Sequence, residues 1–209
     1  MKNYEYVTKK EYGPVKEELT DLIRMVQDEV RVYFTFRFDF IGSASRNMIT
    51  REINGNIGYD FDVNIRVNDP NENYSAKDLR NILKAGFDRH AKRFQYDNSQ
   101  DKTRVFTIKV KDKKNSRILH SCDFAIVHDC DDGRQQFVRF DKQTGNCVWD
   151  LQPKDHYLLD EKIDYLKKHG LWQDVRDVYL FLKGQNNDPE KKSRSIFAET
   201  VKMVYNKKY

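Results

Sequence analysis

Long hydrophobic runs are missing from this chain. No stretch approaches the roughly 18 consecutive apolar residues of a membrane-crossing helix, and the opening residues, MKNYEYVTKKEYG, hold no apolar leader core. No membrane partner is therefore expected, and the cytoplasm is the expected compartment. Cysteine is scarce. Cys122, Cys130 and Cys147 are an odd count without C-x-x-C spacing, which argues against a disulfide framework or a thiolate zinc site and for plain reduced thiols. No internal repeat or low-complexity tract is present, and the histidines show no spacing that suggests metal binding or a catalytic triad. Nor does one sign of charge dominate: 38 Lys and Arg face 33 Asp and Glu, a net +5. That mild basic balance is compatible with polyanionic partners but identifies none. The basic clusters at Lys109 to Lys114, Lys191 to Arg194 and Lys207-Lys208 read as solvated faces or loops.

What the chain does have is clear periodicity and 13% aromatic residues in 209, enough for a folded domain with a core. Gly13-Pro14 opens a helical stripe of Val15, Leu19, Leu22, Ile23, Val26 and Val30, with Pro14 suited to a first turn. The pattern then switches to period two. A strand is expected from Val32 to Ile41, ending at Gly42-Ser43, and a second in GYDFDVNIRVN, where Tyr59, Phe61, Val63, Ile65 and Val67 share one face. Ser75 with Asp78 marks the start of a helix over about 76–94. TRVFTIKVKD and RILHSCDFAIVHD read as two more strands, and RQQFVRFDKQTGNCVWDL as a hairpin turning at Thr144-Gly145-Asn146. Three helices are expected after Asp155, over about 156–168, 171–184 and 193–206. This order predicts an α+β fold, a mixed sheet with flanking helices. The expected division is a core over residues 1–150 and a helical segment over 151–209 packed on it.

The carboxylates carry the chemistry. Asp60 and Asp62 alternate with Phe61, so both project from one face of their strand, about 6.6 Å apart. Aspartate is a poor strand former, and two like charges on one face call for a cation. Either a neighbouring base such as Arg66 neutralises them, or a hard divalent ion does. Asp123 lies mid-strand between Cys122 and Phe124, where an acid is costly unless paired. If the two strands are neighbours, three carboxylates converge, enough for two ions about 3.5 to 4 Å apart. The acidic loop HDCDDG, residues 128–133, has ligand-type side chains but reads as a solvated turn.

A strand ending in Gly42-Ser43, a following strand with Asp60-Phe61-Asp62 and a later strand with Asp123 resemble the signature of the polymerase-β-like nucleotidyltransferase superfamily. VRDVYLFLKGQN, with Lys183, and SRSIFAETVKMVYN, with Ser195 and Glu199, are similar to helices of oligoadenylate synthetases and bacterial cyclic-oligonucleotide synthases (CD-NTase-like proteins). The resemblance spans about residues 15–206. It implies magnesium- or manganese-dependent transfer of a nucleoside monophosphate from a nucleoside triphosphate to an acceptor hydroxyl, with pyrophosphate released and an oligonucleotide second messenger among the products. It implies that Asp60, Asp62 and Asp123 are catalytic and hold two ions. It also implies that Gly42, Ser43, Arg46, Lys183 and Ser195 bind the nucleotide, with a nucleotide or nucleic acid as acceptor. One departure stands out: the Gly-Thr that usually follows Gly-Ser is replaced by ASRNMITREINGNIG. The alternatives are a non-catalytic nucleotide- or nucleic-acid-binding relative and a D-x-D nucleotide-sugar glycosyltransferase. Base, acceptor and oligomeric state are left open.

Overall fold

The computed structural model describes residues 2–152 and 159–207. It divides into two compact units, one of Val7–Ile49 and Asn56–Gln152, the other of Met1–Tyr6, Thr50–Gly55 and Pro153–Tyr209.

The larger unit is a helix-backed sheet. Its strands are β2 (Thr35–Ile41), β4 (Ile57–Asn68), β5 (Gln100–Asp101), β6 (Phe106–Asp112), β7 (Arg117–Asp129), β8 (Gln135–Phe140) and β9 (Cys147–Leu151), the last two forming the expected hairpin. They pair in the order β2-β4-β7-β6-β5, with β8 joining the far end of β7. The β4–β7 pair is parallel and the other neighbours are antiparallel, so the sheet is mixed. Two helices, α1 (Lys9–Val30) and α3 (Ala76–Ala91), supply Leu19, Leu22, Ile23, Val26, Leu83 and Phe87 to a core shared with Phe61, Val63, Ile108, Cys122 and Phe124. Strand alternation therefore sends the even-numbered side chains of β4, Asp60 and Asp62 among them, to the opposite face. Gly58 lets β4 approach β7 there, since a Cβ at that position would lie 1.8 Å from the Leu119 carbonyl oxygen.

Three boundaries differ from the sequence expectation. Helix α1 starts at Lys9, so Pro14 lies inside it rather than in its first turn. The apolar stripe extends upstream through Tyr12, which is buried edge-on against Phe61 and donates its hydroxyl to Asn47 Oδ1 at 2.7 Å. This packing offsets the backbone hydrogen bond that proline removes. The first long strand begins at Thr35, not Val32. Residues 31–33 form a turn that leaves Val32 81% exposed. Helix α3 ends at Ala91 and tightens into a 3-10 turn over Lys92–Phe94, closed by Gln95 in the left-handed conformation. Its start matches expectation: Ser75 and Asp78 make both bonds of a capping box, with aspartate replacing the usual longer acid.

The smaller unit holds α4 (Leu159–Lys168), α5 (Trp172–Gln185) and α6 (Ser193–Asn206), with a two-stranded sheet of β1 (Tyr4–Tyr6) and β3 (Thr50–Glu52) that the sequence pattern did not predict. The expected start of its first helix near residue 156 lies outside the described residues. Among the described residues, no helix is long and apolar enough to cross a membrane.

Candidate active site

The parallel register of β4 and β7 decides the geometry. Asp62 lies opposite Asp123 and Asp60 opposite Ser121, so three carboxylates occupy one sheet face on two adjacent strands, about 4.8 Å apart. On the other side of β4, Asp62 pairs with Ile41, the last residue of β2. The chain then turns sharply at Gly42 into a single helical turn, α2 (Gly42–Ser45).

That turn needs glycine twice over. Gly42 has φ +63°, and a Cβ there would lie 2.6 Å from Asp62 Oδ2. Strand end and carboxylate are thus in contact. Ser43 follows in α2, where its carbonyl accepts the Met48 N–H at 2.9 Å and helps close the loop. Arg46, just past α2, bears on the carboxylates through its charge.

The three acids differ in their partners. Asp60 accepts a hydrogen bond from the Ser121 hydroxyl. Asp123 accepts one from Thr107 Oγ1, its register partner on β6, at 2.5 Å. Both Asp123 oxygens also receive the Lys102 ammonium at 3.0 Å. Asp62 has no hydrogen-bond or ion-pair partner among the described residues. Its carboxyl is pushed from the ordinary 3.8 up to about 6, first by burial and then by the neighbouring charges of Asp123 and Asp60; Arg46 and Lys102 oppose the shift. Cys122, between the acids in sequence, is fully buried on the core face, where burial pushes its thiol well up.

Among the described residues, no three His, Cys, Asp or Glu side chains already converge on one point where an ion could sit. The donor set nonetheless suits a hard divalent cation. It consists of carboxylate oxygens, Asp62 and Asp123 lie in register, and Asp62 is buried with only the more distant charges of Arg46 and Lys102 to offset its own. Sequence reasoning missed Thr107, which reaches Asp123 through the β6–β7 pairing, and Lys102, which reaches it from the turn between β5 and β6. Ser121 was within reach of that reasoning, since alternation places it on the same face as Asp123, two residues on.

Lys183 and Ser195 belong to the smaller unit. Lys183, on α5, donates to Thr50 Oγ1 at 2.6 Å and lies 4.8 Å from the Tyr4 ring centre. Ser195 is exposed in the first turn of α6, and Glu199 pairs with Lys191 at 2.5 Å. Arg66 pairs with Asp39 and Asp129, not with Asp60 or Asp62. The expectation that Arg66 could neutralise the acid pair is thereby corrected: its register partner is Arg37, and its guanidinium serves acids further along the sheet. HDCDDG forms the end of β7 and an exposed turn.

This architecture has solved counterparts. DncV of Vibrio cholerae, a cyclic AMP-GMP synthase, superposes in its complex with nonhydrolyzable GTP at a TM-score of 0.62 and 18% identity, covering 90% of this chain and 51% of that one. The chain has the polymerase-β-like nucleotidyltransferase fold. The DncV complex with a linear intermediate gives 0.61 and 17%, covering 90% and 52%, and the apo form 0.60 and 19%, covering 90% and 51%. The chain thus spans about half the length of these nucleotidyltransferases. No family model and no curated protein matches it by sequence.

Proposed function

We propose that the chain is a divalent-metal-dependent nucleotidyltransferase. It transfers a nucleoside monophosphate from a nucleoside triphosphate to an acceptor hydroxyl and forms an oligonucleotide second messenger. The observation that carries this reading is the in-register pair Asp62 and Asp123, with Asp60 beside it and Gly42 packed on Asp62. The likeness to a cyclic AMP-GMP synthase supports it at the level of the fold.

In this reading Asp60, Asp62 and Asp123 would hold two magnesium or manganese ions. When bound, such ions supply charge that stabilises both the attacking and the leaving oxygen of an in-line displacement. Ser121 keeps the Asp60 carboxylate oriented, and Thr107 does the same for Asp123. Asp123 helps to activate the acceptor hydroxyl. The new bond joins the acceptor oxygen to the α-phosphorus, the bond from that phosphorus to the α–β bridging oxygen breaks, and pyrophosphate leaves. Gly42 lets backbone approach the phosphates without a Cβ, and Ser43 offers a hydroxyl and an N–H to their oxygens. Arg46 offsets negative charge beside Asp62. Roles for Lys183 and Ser195 in holding the triphosphate are part of the same proposal.

The test is incubation with labelled nucleoside triphosphates and magnesium or manganese, comparing the wild type with Asp60→Ala/Asp62→Ala. Pyrophosphate and a nucleotide product should appear and vanish in the double variant; equal signals from both proteins sink the catalytic reading. Metal-dependent triphosphate binding by calorimetry without turnover would instead favour a binding module.

A further inference from the structure

We propose that Lys102 is the built-in counter-cation of the carboxylate row, and that a divalent ion reaches Asp123 only by displacing it. The inference rests on the nucleotidyltransferase reading and deepens it by naming what the ion competes with.

Lys102 is not held like an ordinary surface lysine. Its Nζ lies 3.0 Å from each Asp123 oxygen, a chelating position rather than an end-on one. The turn that carries it is locked at three points. The Lys102 N–H donates to the Val105 carbonyl at 2.9 Å, and the Phe140 N–H to the Thr103 carbonyl at 2.7 Å. Beneath them, Arg80 of α3 is 2% exposed and donates to the Asp101 carboxylate and to the carbonyls of Lys102 and Val105. Lys84 pairs with the other Asp101 oxygen. A buried guanidinium bonding three acceptors fixes the backbone of the residue that presents the ammonium.

The consequence follows from the hydrogen bonds at Asp123. Oδ1 accepts from both Thr107 and Lys102, and Oδ2 accepts from Lys102. An ammonium there does in part what a metal would do, placing positive charge against the Asp123 carboxylate; its charge also acts on Asp62. A metal ion and Lys102 therefore bind Asp123 in competition. The side chain is about half exposed, so its ammonium can move into solvent when displaced. In the absence of substrate, the lysine keeps the acidic row tolerable while lowering its affinity for a bare ion. A triphosphate carrying its own ion adds binding energy that drives the exchange, so ion loading at Asp123 becomes coupled to substrate entry.

The experiment is manganese(II) titration of the full chain without nucleotide, read by electron paramagnetic resonance, for wild type, Lys102→Met, Asp123→Asn and the double variant. Removing a partly exposed lysine competitor should tighten manganese binding roughly fivefold, the upper range for such a pair. The gain should disappear when Asp123→Asn is added. Lys102→Gln serves as the second variant should Lys102→Met fold poorly. If wild type binds manganese in a manner that Asp123→Asn weakens, yet Lys102→Met and Lys102→Gln bind no more tightly or more weakly, the competition is overturned and the nucleotidyltransferase reading stands. If no protein in the series binds manganese, Lys102→Met included, the competition is likewise overturned, while the nucleotidyltransferase reading is judged by the labelled-triphosphate assay.

Discussion

Substituting Gly42 with alanine asks whether the end of β2 and the Asp62 carboxylate are built as one unit. Two separate costs are expected. The φ of +63° is a left-handed conformation that costs an L residue about 1–2 kcal/mol. The added Cβ would lie 2.6 Å from Asp62 Oδ2, so the carboxylate has to rotate away from its rotamer, for about 1 kcal/mol more. Gly42→Ala should therefore lose about 2–3 kcal/mol, or on the order of 4–12 °C in melting temperature for a chain of this size. The two costs separate in a double-mutant cycle with Asp62→Ala, which removes the oxygen that clashes but leaves φ unchanged. In that background Gly42→Ala should cost about 1 kcal/mol less. Urea unfolding of the four proteins in metal-free buffer measures this, and manganese binding to Gly42→Ala should weaken because Asp62 is turned aside. An identical cost in both backgrounds, or no cost in either, would refute the contact argument.

How far this arrangement could be read from the sequence depends on the range of the forces involved. The period-two runs through Phe61 and Asp62 placed core and carboxylate faces correctly, because alternation is local. Capping at Ser75 was equally local. The Val32 boundary was misread because hydrophobicity alone extends the strand, whereas the chain is still turning out of α1 and leaves Val32 in solvent. Pro14 misled for a related reason: its local preference for a first turn was overridden by the burial of Tyr12. The pairing of Asp62 with Asp123 spans 61 residues of sequence in a parallel register, and no local pattern sets it. Order of elements suggested the neighbourhood only through the family resemblance. Lys102 and Thr107 were invisible for the same reason: Thr107 meets Asp123 through the β6–β7 register and Lys102 from the turn that leads into β6. The Lys183 to Thr50 hydrogen bond crosses 133 positions and depends on the unforeseen strand β3.

Two further perturbations test the electrostatics and the scaffold beneath it. The Asp62 carboxyl titrates near 6 in the folded chain and near its ordinary 3.8 when unfolded. Between those values the folded chain holds a proton that the unfolded chain has lost, so stability falls as pH rises through the window. Asp62→Asn should remove that fall and make the metal-free protein more stable than wild type above about pH 6, by at most about 3 kcal/mol; denaturation across pH with coincident curves would contradict it. Arg80→Met tests whether the turn presenting Lys102 is held from below. The methionine fills much of the space between the Phe106 and Phe140 rings that the guanidinium now faces at 6.0 and 4.9 Å. It takes the Arg80 donor from the Lys102 carbonyl, leaves the Val105 carbonyl with the Lys102 N–H alone, and leaves Asp101 with Lys84 as its remaining ion-pair partner. Breaking a buried pair from one side costs about 3–5 kcal/mol, and Lys84 should keep the loss toward the lower end. The distinguishing readout is local. Hydrogen exchange should quicken at the Lys102 amide, whose bond to Val105 closes the turn, by a larger factor than at core amides of β7. Uniform acceleration throughout the larger unit would mean that Arg80 supports only global stability and that Lys102 owes its position at Asp123 to the ion pair alone.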